Sequence, residues 1–362
     1  MTDRFPLAPG AAIGMIGGGQ LGRMMISAAA RLGFRTIVLD PDAACPAAQL
    51  ANETITAAYD DRDALARLAG RVAVVTYEFE NVPVAPVSAL ARIVPIFPPP
   101  EALEVAQDRV VEKAFLNGIG IRTAPWRAVD DPQELEHAFL DLGGDCILKT
   151  RRLGYDGKGQ AVLRENGNHG EAFGTLGGVP AILEKKIGFE REISVIAARG
   201  QDGSFAAYDP AENVHGLGIL KSSTIPASVS PEQMEEARGI AKRILDKLNY
   251  VGVIGVEFFV GRDGALLVNE IAPRVHNSGH WTEAACTISQ FEQHIRAVAG
   301  LPLGSPARHS DGVMENLIGS DVERVPALLA EADVMLTLYG KTDARPGRKM
   351  GHFTRVSPRS ER

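Results

Sequence analysis

Two glutamates on a predicted β-hairpin have the residue type and spacing of a divalent-cation site. Residues 251–282 contain two apolar runs joined by an Asp-Gly turn, which predicts a hairpin with one glutamate on each strand. The expected register places Val268 opposite Glu257 and Glu270 one pair further along, so that both carboxylates project from one face. Carboxylates held that close repel each other unless a cation lies between them. With the Asn269 side-chain oxygen beside them, these hard ligands predict Mg²⁺, or Mn²⁺ in its place.

The alternative is an exposed hairpin with two solvated glutamates. The strands around Glu257 and Glu270 are rich in Val, Leu, Ile and Phe. This composition is too apolar for a hairpin exposed to solvent on both faces. The sequence therefore favours the metal site.

A glycine-rich turn near the N-terminus predicts a second ligand site. Gly17-x-Gly19-x-x-Gly22 lies between a predicted strand and a predicted helix, and Asp40 follows eighteen residues after the last glycine. This pattern matches the dinucleotide-binding fingerprint in type and context. Physically it requires only an anion close to a helix N-terminus. A nicotinamide dinucleotide, another phosphorylated ligand and a purely structural turn all stay open at this point.

A second glycine-rich loop, at 149–160, joins two predicted strands and carries four cationic side chains. It lacks the Lys-Ser/Thr ending of a Walker A loop and is not of that class. A glycine loop between strands can close over nucleotide phosphates as in kinases, with Lys149 neutralising phosphate charge at the strand end. A surface hairpin with solvated charges is the alternative.

Three further polar segments are candidates for ligand contacts. The apolar strand at 181–187 ends in charged residues whose backbone could meet an adenine edge, although charged strand ends are common. A dense polar run at 273–282 follows the glutamate hairpin, at a strand end where α/β proteins bind ligands. Four cations within 341–349, stiffened by Pro and Gly, could hold a phosphate monoester or form a solvated basic patch. A lone histidine such as His215 is more often structural than functional.

Hydrophobic patterning predicts the scaffold that positions these residues. Alternating buried strands and helices over 11–80 predict a parallel sheet with crossover helices, and the proline-rich stretch 95–100 marks its end. A single helix is expected over 101–117, followed by strands joined by Gly-rich turns, which favours an antiparallel arrangement. A capping box at Ser230 begins a helix that leads into the glutamate hairpin. Short strands from 312 onward predict a small terminal module.

Composition excludes several classes of protein. The 362-residue chain is 45% hydrophobic and 23% charged, as in globular proteins, and its net charge of −7 argues against a general nucleic-acid binder. No apolar run approaches the roughly 20 residues of a membrane span, and the N-terminus lacks the order of a signal peptide. Three scattered cysteines fit a reducing compartment without structural zinc. We expect a cytoplasmic protein that binds small molecules, with no nucleic-acid or membrane partner.

Taken together, these motifs resemble the ATP-grasp superfamily and, within it, the 5-(carboxyamino)imidazole ribonucleotide synthase family. The resemblance spans nearly the whole chain, and the segments that carry it are 16–22, 76–81, 153–159, 269–282 and 345–352. The last two are highly specific, whereas the first is shared with formate-dependent glycinamide ribonucleotide transformylase, the alternative ligase.

The resemblance implies an ATP-grasp fold of the α/β (α+β) class with three domains. A Rossmann-like substrate-binding domain is expected at 1–105, an ATP-grasp domain at 106–300 with a lid at about 122–187, and a small β-rich domain at 301–362. It also implies an ATP-dependent carbon–nitrogen ligase of purine biosynthesis, cytoplasmic and homodimeric. Such an enzyme uses ATP and bicarbonate to carboxylate the amine of 5-aminoimidazole ribonucleotide through carboxyphosphate, releasing ADP and phosphate. An NAD(P)-binding oxidoreductase is the less favoured alternative.

The resemblance implies roles for individual residues as well. The residues expected to be catalytic are Tyr155, Asp156, Lys341 and Arg348. Those expected to bind ATP are Arg109, Lys149, Gly154, Tyr155, Asp156, Gly157, Lys158, Gly159, Gln160, Glu184, Lys185, Lys186, Ile187, Glu192, His215, Asn269 and Glu270. Those expected to bind the ribonucleotide are Gln20, Leu21, Glu78, Arg274, His276, Asn277, Lys341, Arg348 and Lys349. The metal ligands are expected to be Glu257, Glu270 and Asn269.

Overall fold

The N-terminal region of the computed structural model is a parallel sheet with crossover helices. The structure describes residues 5–154, 158–165, 167 and 169–360. The elements of this region are β1 (Ala12–Ile16), α1 (Gln20–Arg31), β2 (Arg35–Asp40), β3 (Glu53–Thr56), α2 (Arg62–Ala69), β4 (Val74–Tyr77) and α3 (Val84–Leu90), with strand order β3-β2-β1-β4. β1, β2 and β4 are almost entirely buried, as expected for parallel strands covered on both faces. The predicted parallel sheet is confirmed.

The single helix expected over 101–117 is wrong, because the structure has two helices there. α4 (Pro100–Ala106) ends, and α5 (Arg109–Gly118) begins after Asp108. The Asp108 carboxylate accepts hydrogen bonds from the first-turn amides of α5, which is the N-cap arrangement that starts a new helix. The break puts Arg109 at the first turn of α5, where its backbone N–H donates to the Arg151 carbonyl at 2.9 Å.

A small antiparallel sheet follows. Its elements are β5 (Trp126–Val129), α6 (Pro132–Leu142), β6 (Cys146–Thr150), β7 (Gln160–Leu163), α7 (His169–Thr175) and β8 (Ala181–Lys185), with strand order β5-β8-β6-β7. Phe139, Leu148 and Leu183 belong to a buried cluster confined to this sheet and its helices. The antiparallel strands predicted here are confirmed, with β8 ending two residues early.

The remaining strands form one large sheet. Its elements and covering helices are β9 (Phe189–Arg199), β10 (Phe205–Ala207), β11 (Ala211–Gly216), β12 (Ile219–Ile225), α8 (Pro231–Lys247), β13 (Gly252–Gly261), β14 (Leu266–Ala272), α9 (Thr282–Ala285), α10 (Gln290–Val298), β15 (Ser310–Ile318), α11 (Val325–Leu328), β16 (Val334–Leu338) and β17 (Lys349–Pro358). The order is β14-β13-β9-β11-β12-β15-β17-β16, with β10 beside β9. The strands expected to form a small terminal module therefore continue this sheet through β12–β15 pairing. No helix among the described residues is long and apolar enough to cross a bilayer.

His294 of α10 connects the parallel sheet to the large sheet. Its Nε2 lies 2.8 Å from the hydroxyl of Thr76 on β4, and its Nδ1 accepts from the backbone N–H of Val253 on β13 at 3.1 Å. Complete burial lowers the pKa of His294 to about 3, so the folded protein holds a neutral ring there.

This histidine should make the protein less stable in acid. An unfolded histidine has a pKa of about 6.5, so between roughly pH 6.5 and 3 the unfolded chain binds a proton that folded His294 does not. Below about pH 6.5 its stabilising contribution falls by about 1.4 kcal/mol per pH unit. We expect the difference in free energy of unfolding between wild type and His294→Gln to narrow accordingly when urea unfolding is measured at pH 7.5, 6.5 and 5.5. The exposed His309→Gln is the control; a His294→Gln difference that is constant with pH would refute the assignment.

Candidate active site

A cavity of about 420 Å³ is lined by residues from the parallel sheet, the small antiparallel sheet and the large sheet. The predicted site residues that line it are Gln20, Leu21, Arg109, Lys149, Gly154, Lys158, Gln160, Glu192, His215, Glu257, Asn269, Glu270, Arg274, His276, Asn277 and Lys349. Other predicted residues that the structure describes do not line it, namely Glu78, Gly159, Glu184, Lys185, Lys186, Ile187, Lys341 and Arg348. Tyr155, Asp156 and Gly157 lie outside the described residues.

Glu257 and Glu270 face each other directly on β13 and β14. The register expected from the sequence is wrong, because Val268 pairs with Phe258 rather than with Glu257. A β-bulge follows, in which Asn269 is the extra residue of β14. Without that bulge Asn269 would be opposite Glu257, and Glu270 would point to the other face. The bulge places both carboxylates on one face of the hairpin. The predicted proximity of Glu257 and Glu270 is therefore confirmed, although the strand register differs from the predicted one.

The two carboxylates of the hairpin have different electrostatic surroundings. Burial and the neighbouring Glu270 charge raise the pKa of Glu257 to about 7. Burial acts in the same direction on Glu270, but the cations of Arg109 and Lys149 outweigh it and hold the pKa of that carboxyl below its usual value. Arg109 Nη1 lies 3.2 Å from Glu270 Oε2. A divalent cation would relieve the repulsion that raises the Glu257 pKa, so the donor set fits Mg²⁺ shared with phosphate oxygens.

Lys149 is held at the cavity by a buried carboxylate. Its Nζ lies 2.7 Å from Glu184 Oε2, and the Glu184 side chain is 3% exposed. Burial would raise the pKa of Glu184, but the charges of Lys113 and Lys149 hold it at about 2. The Glu184 side chain therefore supports Lys149 and is not directed at the cavity. The neighbouring Lys185 is also engaged, since its Nζ donates to the carbonyls of Leu142 and Gly143.

Glu192 and His215 lie in contact on the cavity wall. The Glu192 Oε2 and His215 Nδ1 atoms are 2.7 Å apart. Burial lowers the pKa of His215, but contact with Glu192 and the charge of Glu257 outweigh that effect and raise it. The pair adds hydrogen-bonding groups next to the carboxylate hairpin, at the positions expected to meet a nucleotide.

Two buried carboxylates already occupy the amides of the N-terminal glycine turn. Asp40 Oδ2 accepts from the Gly18 N–H at 2.7 Å and also from the Tyr59 hydroxyl at 2.7 Å. Glu78 accepts from the Gly19 N–H at 2.8 Å and from the Gly22 N–H at 3.3 Å. In a dinucleotide site those amides would face a pyrophosphate and the acid would bind a ribose. The turn amides and the Asp40 carboxylate, the two elements that would bind NAD(P), are therefore already engaged within the protein, which argues against the NAD(P) interpretation.

Glycine is required in this turn because Glu78 approaches it so closely. A Cβ atom at position 19 would lie 2.7 Å from Glu78 Oε1, which is shorter than a van der Waals contact. Glu78 itself is buried beneath the turn, and burial raises its pKa. The structure thus gives Glu78 a supporting position below Gln20 and Leu21, which do line the cavity.

The C-terminal basic loop reaches the same turn. Lys341 Nζ donates to Gln20 Oε1 and to the Lys349 carbonyl, both at 2.8 Å. Burial and the neighbouring Arg348 charge lower the pKa of Lys341 to about 8. Arg348 donates to the Asp343 carbonyl at 3.1 Å and is partly exposed. Residues 321 positions apart in sequence thus meet at one end of the cavity.

The polar run after the hairpin supplies the remaining wall. Arg274 forms a two-pronged ion pair with Glu80, and both residues line the cavity. The charge of Arg274 overcomes the effect of burial and lowers the pKa of Glu80 to about 2. His276 Nε2 lies 3.7 Å from Glu257 Oε1, and burial lowers the pKa of His276 to about 3. Among the described residues, neither buried amide atom of Asn277 has a hydrogen-bond partner, which leaves both available to a ligand.

The sequence prediction missed Glu80, Glu112 and Lys113. Glu112 and Lys113 are buried charged residues of α5, one turn after Arg109, and Glu112 lines the cavity. A signal was present in the sequence, since two charged residues adjoin the apolar positions of an amphipathic helix. Without knowledge that β14 packs against α5, these charged residues would be interpreted as part of an ordinary solvated helix surface.

Comparison with known families gives three matches that together cover most of the chain. Residues 114–291 match the ATP-grasp domain, and residues 11–107 match the ribonucleotide synthetase preATP-grasp domain. Residues 312–362 match the phosphoribosylaminoimidazole carboxylase C-terminal domain. A similar protein is N5-carboxyaminoimidazole ribonucleotide synthase of Brucella melitensis, 61% identical over 360 residues that cover 99% of each chain.

Solved structures of similar proteins share the whole fold. N5-carboxyaminoimidazole synthetase of Staphylococcus aureus complexed with ADP is 36% identical, with a TM-score of 0.93 over 97% of this chain and 94% of that one. N5-carboxyaminoimidazole synthase of Aspergillus clavatus, in complex with ADP and 5-aminoimidazole ribonucleotide, is 32% identical. Its TM-score is 0.89, over 96% of this chain and 94% of that one.

Proposed function

The chain belongs to the N5-carboxyaminoimidazole ribonucleotide synthase family of ATP-grasp enzymes, and we propose that it carboxylates the exocyclic amine of 5-aminoimidazole ribonucleotide. ATP and bicarbonate are consumed, and ADP and phosphate are released. The observation that carries this proposal is one cavity that joins a carboxylate pair, two phosphate-neutralising cations and a second polar wall for an acceptor. The transformylase alternative is not favoured by relatives of this identity and coverage.

The nucleotide end of the cavity is formed by the carboxylate hairpin and the cations that face it. We assign the ATP phosphates to Arg109, Lys149 and the glycine loop at 154–160, with Glu192 and His215 toward the nucleoside. Glu257 and Glu270, assisted by Asn269, would hold Mg²⁺. When bound, that ion neutralises charge on the phosphates during transfer. Support comes from the direct pairing of the two glutamates and from the 3.2 Å contact of Arg109 with Glu270.

The ribonucleotide end is formed by the glycine turn, the basic loop and the polar run. We assign the ribonucleotide and its phosphate to six residues that line the cavity, Gln20, Leu21, Arg274, His276, Asn277 and Lys349, and to Lys341 and Arg348 of the adjoining basic loop, with Glu78 supporting the turn from below. This assignment uses the cations of the basic loop and the Asn277 amide, which has no hydrogen-bond partner in the described part of the chain. Tyr155 and Asp156, outside the described residues, are assigned to the acceptor amine and its proton.

The chemistry follows from the weak electrophilicity of bicarbonate. A bicarbonate oxygen attacks the γ-phosphorus of ATP, the bond to ADP breaks, and carboxyphosphate forms. The amine then attacks the carboxyl carbon, directly or after release of CO₂, while phosphate leaves and the amine loses a proton. Arg109 and Lys149 stabilise the charge on the transferring phosphoryl group. Because carboxyphosphate hydrolyses easily, the glycine loop must exclude water.

We further propose that the enzyme acts in the cytoplasm as a homodimer, as the family resemblance implies.

The reaction is tested by ADP release in bicarbonate buffer with and without 5-aminoimidazole ribonucleotide. Release stimulated many-fold by that acceptor is the expected result. Release that is insensitive to the acceptor, or tight NAD(P)H binding without ADP formation, would refute the proposal.

Lys341→Ala should weaken ribonucleotide binding selectively. Lys341 contacts Gln20 at the glycine turn and no residue of the carboxylate hairpin among its described hydrogen bonds. We expect KM for the ribonucleotide to rise by about tenfold, because a charge-assisted contact is lost, while KM for ATP changes by less than about twofold. Steady-state kinetics with each substrate varied in turn measures both. Equal increases in the two KM values would contradict the assignment of this end of the cavity.

A further inference from the structure

Two adjacent charged residues of α5 are buried beneath the carboxylate hairpin. Glu112 is 2% exposed and Lys113 is 1% exposed. Charged side chains this deeply buried are rare and costly unless they are paired and hydrogen-bonded. Both of these residues contact the hairpin that holds the carboxylate pair, so their position needs a functional explanation.

Both side chains contact the backbone on either side of Glu270. Glu112 Oε1 accepts from the Ile271 N–H at 2.6 Å, and Lys113 Nζ donates to the Asn269 carbonyl. β14 lies at one end of the large sheet, so these two backbone groups face α5 rather than another strand. Buried backbone groups at a sheet edge must find partners elsewhere, and the two side chains supply them.

The Lys113 contact falls on the bulged residue itself. Asn269 is the extra residue that turns Glu270 to the same face as Glu257. A slip of one residue in β14 would send the Glu270 carboxylate to the opposite face. Contacts to Asn269 and Ile271 together resist such a slip, because each depends on its backbone group staying on the α5 side.

Lys113 also links the hairpin to the phosphate-neutralising lysine. Its Nζ lies 3.8 Å from Glu184 Oε1, and the other oxygen of that carboxylate lies 2.7 Å from Lys149 Nζ. One buried carboxylate is thus shared between two lysines. The contacts run from Asn269 through Lys113 and Glu184 to Lys149, from the large sheet to the small antiparallel sheet.

We propose that Glu112 and Lys113 are positioning residues that fix the bulge of β14 and thereby align Glu257 and Glu270 for a magnesium–nucleotide complex. The inference rests on the proposed function, because it presumes that the carboxylate pair binds the metal of a bound nucleotide. Neither residue is required to touch the nucleotide. Their effect should therefore appear mainly in the part of nucleotide affinity that depends on Mg²⁺.

The test compares ADP affinity with and without Mg²⁺ by isothermal titration calorimetry, in the full-length protein. The readout is the ratio of the two dissociation constants, without Mg²⁺ over with Mg²⁺. Lys113→Met keeps most of the side-chain length and removes the charge and the donor. We expect this ratio to fall by about 10- to 100-fold in Lys113→Met, the usual effect of removing a group that orients a metal ligand. Lys242→Met, at an exposed lysine of α8, should leave the ratio within about twofold of wild type.

A second pair of variants covers the case in which Lys113→Met does not fold. Glu112→Gln keeps an oxygen that can accept from the Ile271 N–H, whereas Glu112→Leu removes it. The ratio should fall about tenfold in Glu112→Leu and stay within about threefold of wild type in Glu112→Gln. A purely structural role would weaken ADP binding by the same factor with and without Mg²⁺ and would leave the ratio unchanged.

The outcomes separate this inference from the proposed function. Wild-type protein that shows acceptor-dependent ADP release, together with an unchanged ratio in Lys113→Met or in Glu112→Leu, would overturn the inference alone. Wild-type protein without Mg²⁺-dependent ADP binding would overturn both. A reduced ratio in Glu112→Leu with retention in Glu112→Gln would support it.

Discussion

Replacing Glu270 by alanine should lower the rate of ADP release by more than about 10²-fold while the protein stays folded. Glu270 lies directly opposite Glu257 and pairs with Arg109 at 3.2 Å. Its removal would leave a bound Mg²⁺ with a single carboxylate and would remove the carboxylate that lies 3.2 Å from Arg109. Steady-state ADP release at saturating ATP, bicarbonate and ribonucleotide measures the effect, and a thermal melt reports on folding.

The matched control lies in the same hairpin. Asp263 is exposed at the turn, where its carboxylate accepts only from the nearby Ala265 N–H at 3.1 Å among the described hydrogen bonds. Asp263→Ala should retain turnover within about threefold of wild type. Near-normal turnover in Glu270→Ala would show that the carboxylate hairpin is not the metal site.

Lys149→Met should produce the second largest loss, about 10²- to 10³-fold in kcat. Lys149 lies on the cavity wall at the end of β6 and is fixed by Glu184 at 2.7 Å. Methionine keeps much of the volume but removes the charge that would stabilise the transferring phosphoryl group. It also removes the closer of the two lysines that contact Glu184, since Lys113 Nζ lies 3.8 Å from that carboxylate. Single-turnover ADP formation measures the chemical step directly.

The comparison for Lys149 is an exposed lysine that does not line the cavity. Lys247→Met, in the last turn of α8, should leave single-turnover ADP formation within about twofold of wild type. A Lys149→Met protein that weakens ATP binding but forms ADP at the normal rate once saturated would contradict a role in phosphoryl transfer.

The pairing of the two glutamates could be predicted from sequence, but its geometry could not. Apolar strands around an Asp-Gly turn specify a hairpin locally. The bulge at Asn269 depends on backbone contacts with Glu112 and Lys113, more than 150 positions earlier in the chain. Contacts that distant leave no signal in the hairpin's own residues.

The glycine turn shows the same limit. Its spacing satisfies the dinucleotide fingerprint, yet the occupant of its amides is decided by Asp40 and by Glu78, which is 59 positions from Gly19. The break between α4 and α5 differs in kind, because the N-cap at Asp108 is a local signal that the sequence did contain. The terminal strands were recognisable as strands, but the pairing of β15 with β12 is again non-local.

We propose that ATP activates bicarbonate for attack by the amine of 5-aminoimidazole ribonucleotide. The most direct test of this reaction follows the oxygen atoms of bicarbonate. With ¹⁸O-labelled bicarbonate and the ribonucleotide present, each phosphate released should carry one ¹⁸O atom, in a reaction quenched before bicarbonate exchanges oxygen with water. Phosphate without the label, released equally with and without the ribonucleotide, would contradict the account.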